Sequence, residues 1–184
     1  MDRKKIQKLT AELIKAIGED PNREGLIDTP KRVAKSFEVL YGGYEKDTKD
    51  HITVFDGEDY DEMIICKDID FYSTCEHHML PFFGRAHVGY IPNKKIIGIS
   101  KIPRIIEIYA RRMQNQERLT MQVAKAINKL LKPRGVGVVI KAQHLCMLSR
   151  GVERQNAVIT TSSFTKLFRK NPETRSEFLG LING

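Results

Sequence analysis

The sequence predicts an α+β fold, with helices packed on one face of an antiparallel sheet and a helical part at the N-terminus. Three observations predict it. The first forty or so residues carry two apolar patterns at helical spacing. Between positions 64 and 99 the pattern changes to short β-type runs punctuated by Pro and Gly. A long helical pattern and two further β-type runs follow. The predicted division is a helical region over 1–44 and a main domain over 45–184.

Taken in order, residues 3–17 place Ile6, Leu9, Leu13, Ala16 and Ile17 on one stripe of a charged helix, ended by Gly18. Thr29-Pro30 reads as the N-cap and first position of a second helix, because proline's missing N–H is already without a helical partner there. That helix carries Val33, Phe37 and Leu40 and stops at Gly42-Gly43. The acidic stretch 45–61 reads as a connector. Ile64-Ile65-Cys66, Ile69-Phe71, Ala86-Val88-Tyr90 and Ile96-Ile97-Ile99 read as strands, with IPNKKI as a hairpin turn. One helix is expected over 103–131, with Ile106, Tyr109, Met113, Val123, Ile127 and Leu130 on its apolar side and Pro133 and Gly135 beyond its end. Strands over 136–142 and 157–161 and a short helix over 163–168 complete the chain.

Composition narrows the function. The chain has 184 residues and a formal charge of +8, a balance that invites a nucleic-acid reading. The charge is concentrated, however: residues 101–150 hold eleven Lys or Arg and two Asp or Glu, whereas 45–70 hold three and ten. A local positive patch favours an anion without naming it. Aromatics are only 8% and there is no Trp, so a stacking platform for bases is not expected. No run approaches the ~18 apolar residues of a membrane span, and the N-terminal segment lacks a secretory apolar core. Three cysteines do not make a disulfide framework. A soluble, cytoplasmic protein is expected, with neither nucleic acid nor membrane as partner.

The chemistry concentrates in Ser73-Thr74-Cys75-Glu76-His77-His78. Cys75 and His78 are three apart, a spacing at which one turn aims thiolate and imidazole at one ion. Cys146, in Gln143-His144-Leu145-Cys146, is the other candidate soft ligand. Zinc suits such donors, and three protein ligands leave a fourth position for water, whose pKa a catalytic zinc lowers. A lone CxxH with a distant Cys also arises by chance. Cys66, in an apolar strand, reads as buried and inert. His77 and His144 then flank the candidate ligands and suit acid–base work; the plain alternative for each is a hydrogen-bonded, half-buried histidine. Glu76 has a possible acid–base reading that its position does not decide. His51 and His87 read as structural.

A third feature is Ser100-Lys101-Ile102-Pro103-Arg104, where a strand passes into the long helix. A helix N-terminus favours phosphate, and Arg150 follows Cys146 by four residues. Arg32 and Lys35 could join such a cluster. The alternative for any one of these residues is a solvated basic face.

These residues resemble one family closely. CEHHMLPFFGRAHVGYIP, then GISKIPRIIEIYARRMQNQERLT, then QHLCMLSRGV look like GTP cyclohydrolase I, and the resemblance runs from roughly Gly25 to the terminal RSEFLGLI. It implies conversion of GTP and water to 7,8-dihydroneopterin triphosphate and formate, the first step of pterin and tetrahydrofolate synthesis. It also implies the tunnelling fold, in which sheets assemble into barrels within a homodecamer whose active sites lie between subunits. By this resemblance Cys75, His78 and Cys146 bind Zn2+, and His77 and His144 move protons. Gln116 and Glu117 anchor guanine, where a carboxylate accepts two N–H bonds and rejects adenine. Ser100, Lys101, Arg104 and Arg150 meet the triphosphate, joined by Arg32 and Lys35 of DTPKRVAK.

Overall fold

The structure, a computed structural model, describes residues 1–154 and 156–184, with the backbone alone at position 51. The reading of His51 as structural therefore lies outside the described residues. The chain divides into two compact units, Met1–Gly42 and Gly43–Gly184.

In the first unit, α1 (Arg3–Ala16) begins at Asp2, whose carboxylate accepts the Lys5 N–H at 3.0 Å. It packs on α2 (Thr29–Leu40). The buried position on α1 is Ile14, one turn after the half-buried Thr10 and two after Ile6. Leu9, Leu13 and Ile17 of the expected stripe point outward, at 53%, 60% and 70% exposure. The helix is thus rotated from the predicted face, because Ile6, Thr10 and Ile14 form a second stripe at i, i+4, i+8. Asp28, not Thr29, is the N-cap of α2, and Pro30 falls within its first turn.

The second unit is built on a five-stranded sheet. Its strands are β2 (Ile64–Cys75), β3 (Pro81–Ile91), β5 (Met113–Gln114), β6 (Gly135–His144) and β7 (Ile159–Thr165), in the order β5-β2-β3-β6-β7. All neighbours are antiparallel except β2 and β5. The acidic connector is more structured than expected: it contains β1 (Val54–Asp56), which pairs with β4 (Lys95–Ile97) in a separate two-stranded sheet. IPNKKI therefore turns the chain without making a hairpin. β3 is flanked by β2 and β6, so no edge is left for β4. The Ile97 N–H instead donates to the Tyr90 hydroxyl at 3.1 Å.

The helix expected over 103–131 is two helices, α3 (Lys101–Ala110) and α4 (Gln116–Leu131). The break has a local cause. The Asn115 side chain accepts the Arg118 N–H at 2.8 Å and starts a new helix, while Met113 and Gln114 pair beside Thr74 and Cys75. The α3 and α4 helices cover the face bearing Phe82, Ala86, Val88 and Tyr90 of β3 and Val136, Val138, Ile140 and Ala142 of β6. These alternate positions form the main core, as the two-residue period of a strand requires.

The fold is α+β, but its helices are not confined to one face. After the short α5 (Leu145–Leu148), α6 (Lys166–Lys170) and α7 (Pro172–Asn183) bring Phe168, Phe178 and Ile182 against Ile91 and Val139 on the opposite face. β6 is apolar and buried from Gly135 to Ile140, where it is covered on both sides.

Candidate functional site

Antiparallel pairing brings the end of β2, the start of β3 and the end of β6 to one end of the sheet, with Thr74 opposite Pro81 and Phe82 opposite His144. Between β2 and β3 the chain makes a tight turn. The Met79 N–H donates to the Cys75 carbonyl and the Cys75 N–H to the Leu80 carbonyl, each at 2.8 Å. Met79 adopts a left-handed φ of 56° to close it. The turn sets Cys75 Sγ 3.7 Å from His78 Nδ1.

Cys146 arrives on α5, directly after β6, with its sulfur 3.9 Å from that of Cys75. One donor atom from each of Cys75, His78 and Cys146 lies within 4.8 Å of the other two. Cys75 is buried, Cys146 half-buried and His78 exposed, so the cluster is open on one side. Burial pushes the Cys146 thiol up and the Cys75 sulfur adds to this, while the charge of Arg150 works the other way. Two thiols and an imidazole held this close fit a divalent metal, whose charge offsets the deprotonation its ligands require.

His144 closes the site from β6. Its ring stacks on Phe82, with centroids 4.6 Å apart and planes within 3°. Its Nε2 lies 2.8 Å from Gln116 Oε1. The amide orientation is fixed by the other end of Gln116, where Nε2 donates to the Ile140 carbonyl (3.0 Å), the Ile159 carbonyl (2.9 Å) and Thr161 Oγ1 (3.1 Å). The oxygen therefore faces the ring, His144 Nε2 carries the proton, and Nδ1 keeps its lone pair. Burial holds His144 below the ordinary histidine value, opposed by the carboxylate of Glu117.

The resemblance pairs Gln116 with Glu117 at guanine, but the structure separates them. Gln116 is 1% exposed with its amide fully engaged inside the chain, whereas Glu117 faces solvent. Successive helical residues point about 100° apart, which divides the two. Glu76, whose role the sequence left open, accepts from Asn115 Nδ2 at 2.9 Å and pairs with Arg118. The Arg118 guanidinium holds its carboxyl below the usual range. Asn115 and Arg118 carried no signal for this site beyond the preference of Asn for helix starts. His77 is exposed, with Nε2 3.8 Å from Glu76.

Ser100, Lys101 and Arg104 gather at the first turn of α3, where the Ser100 side chain makes no capping bond. No hydrogen bond or ion pair among the described residues joins them to the cysteine–histidine cluster. Arg32 and Lys35 lie on α2 in the first unit, where the Arg32 guanidinium donates to the Gly25 carbonyl (3.1 Å) and to Thr29 Oγ1 (3.0 Å). Cys66 is half-buried, and burial raises its thiol. His87 is buried, accepting the Asp68 N–H at Nδ1 (3.2 Å).

Fold and cluster together define an α+β protein with a two-cysteine, one-histidine group fit for a metal at one end of its sheet. The family profile described as GTP cyclohydrolase I matches residues 6–183. A GTP cyclohydrolase 1 of Leptospira biflexa is 58% identical over 179 residues, 96% of this chain and 97% of that protein. One from Chlorobaculum tepidum is 60% identical over 92% of this chain and 76% of its own length. One from Campylobacter jejuni is 51% identical over 98% and 95%. Among solved structures, an archaeosine synthase QueF-Like in the apo form aligns at TM-score 0.47 and 16% identity, over 56% of this chain and 92% of that one. The chain belongs to the GTP cyclohydrolase I family.

Proposed function

We propose that this protein converts GTP and water to 7,8-dihydroneopterin triphosphate and formate, the entry to pterin and tetrahydrofolate synthesis, with zinc as its metal. The observation that carries this reading is the convergence of Cys75, His78 and Cys146 beside His144 in a chain of this family. Cys75, His78 and Cys146 would hold the zinc, which when bound supplies a Lewis acid and activates water at neutral pH.

The chain's own residues do the rest. Glu117, exposed at the start of α4, accepts the two N–H groups of the guanine edge. Gln116, the other residue assigned to guanine by the resemblance, also fixes the His144 ring through its Oε1. His77 gives a proton to the imidazole ring of the purine as C8 leaves as formate. His144, neutral and with Nδ1 free to accept, moves protons as the ribose opens. Ser100, Lys101 and Arg104 at the α3 N-terminus, with Arg150, take the triphosphate; Arg32 and Lys35 are candidates to join them.

We place the site between subunits of a ring, a homodecamer, in which phosphate residues of one copy complete the cluster of another. Two features favour ring closure: β7 is an edge strand, and β2 is covered on its outer side only at Thr74 and Cys75. A cytoplasmic location suits a GTP-consuming enzyme whose cysteines must stay reduced.

The test is direct. Zinc-loaded protein mixed with GTP is expected to release formate and form a fluorescent pterin after oxidation. A chelator stops both, and added zinc restores them. Metal-loaded protein that leaves GTP intact overturns the reading.

A further inference from the structure

The turn bearing Cys75 and His78 and the helix bearing Glu117 are separate elements, joined by one polar cluster. The Glu76 N–H donates to the Gln114 carbonyl at 2.9 Å, next to the Cys75–Gln114 pairing. Both carboxylate oxygens of Glu76 are occupied, Oε1 by Asn115 Nδ2 at 2.9 Å and Oε2 by Arg118 Nη2. Arg118 makes two further bonds at the same junction: Nε to Gln114 Oε1 at 2.9 Å, and Nη2 also to the Met113 carbonyl at 3.3 Å. Asn115, which holds Glu76 with its nitrogen, caps α4 with its oxygen. Gln114 is tied back in turn, its Nε2 donating to the Tyr109 carbonyl at 2.9 Å and to Gln122 Oε1 at 2.7 Å. The hydrogen bonds of Glu76 thus point at the start of α4, while the exposed His77 lies 3.8 Å from its Oε1.

We propose that Glu76 and Arg118 form a clamp holding the metal-ligand turn against the start of α4, so that the metal donors and Glu117 share one rigid frame. Glu76 is then a positioning residue, not the proton carrier that its place between Cys75 and His77 suggests. The clamp rests on the reading of Glu117 as the guanine acceptor and of Cys75, His78 and Cys146 as ligands. Its physical basis is general: a turn anchored beside its ligands presents them in one orientation, and the loss of supporting contacts weakens metal binding, with about 10- to 100-fold as the upper range seen for partners bonded to a ligand itself. Paired residues acting on one junction give non-additive losses.

The experiment uses the full chain stripped of metal and titrated with Co2+, reading the thiolate-to-cobalt absorption band, alongside steady-state GTP kinetics. The variants are Glu76→Gln, Arg118→Met and the double. Each single variant is expected to bind cobalt about tenfold more weakly, with the double no weaker than the worse single. KM for GTP rises several-fold in all three while kcat falls less. Arg118→Lys, which keeps charge but not the fork, recovers part of both and carries the test if Arg118→Met fails to fold. Two results overturn the clamp. One is a Glu76→Gln protein that loses turnover with cobalt affinity and KM unchanged. The other is cobalt losses that multiply in the double variant. The cobalt titration decides the clamp even if the parent protein leaves GTP unchanged, so the two readings fail separately.

Discussion

Cys146 and Glu117 carry different proposed roles, and substitution separates them. Cys146→Ser removes a soft donor, so metal content measured by atomic emission is expected to fall and formate release with it. Glu117→Gln leaves the three donors in place, and zinc content is expected to stay full. It replaces a carboxylate acceptor by an amide that presents a donor to guanine. Hydrogen bonds to charged groups are worth about 1.5–3 kcal/mol, so KM for GTP should rise by about 10- to 100-fold. At the same scale His87 sets a pH dependence of stability. Burial holds it below its ordinary 6.5, with Lys141, Arg85 and Lys67 adding to this and Asp68 opposing. The unfolded chain then binds a proton that the folded chain resists. Its contribution is complete above 6.5 and is lost as pH falls toward and through the lower folded value. Urea midpoints at pH 7.5 and 5.5 should therefore differ more for the parent than for His87→Gln, which retains an acceptor for the Asp68 N–H.

Among the elements, the β3–β6 pair carries the closest packing. A Cβ added at Gly84 would lie 2.0 Å from the Lys141 carbonyl oxygen and 2.7 Å from the Ala142 Cα, both backbone atoms. Gly84→Ala must push two paired strands apart and is expected to cost about 2 kcal/mol in chemical denaturation. Gly180, on α7, has nothing within 4 Å of such a Cβ. Gly180→Ala should stabilise by about 0.5–1 kcal/mol. Legibility also varied by element. The strand over 136–142 was readable because an apolar run beginning beside Pro133 and Gly135 leaves few alternatives. The last strand instead runs over Ile159–Thr165, past the expected 157–161 and through residues expected to be helical at 163–168, because polar Thr and Ser leave no clear period there. The break at Arg111–Asn115 was not legible, because apolar residues continue at helical intervals through Met113, and only the pairing of Met113 and Gln114 with β2 interrupts them. The direction of Gln116 was not legible for a related reason: it depends on where α4 starts. The Cys75–His78 spacing was legible as one turn, while the approach of Cys146 depends on the β3–β6 register, which local patterning does not contain.

For the whole molecule, the two edges of the large sheet set the expected assembly. β7 has a neighbour on one side only, and most of β2 is open beyond the short β5. Light scattering should report a particle near ten times the 21.1 kDa chain mass; a monomer at micromolar concentration would contradict the ring. The concentrated positive charge fits this picture. On the proposed reading, Lys101, Arg104 and Arg150 would bring cations toward a triphosphate from two stretches of chain, and a nucleic-acid surface is not needed to explain them.

The first turn of α4 has a consequence for how this region tolerates change. Gln116, Glu117 and Arg118 are consecutive, yet one faces the stacked imidazole, one the solvent and one the carboxylate of Glu76. Inserting or deleting a single residue between Gln114 and Gln116 would rotate the helix by about 100° and pass each of the three assignments to its neighbour. The segment is thus constrained in length more strictly than in composition, and shuffling or grafting it between chains succeeds only when the residue count is kept.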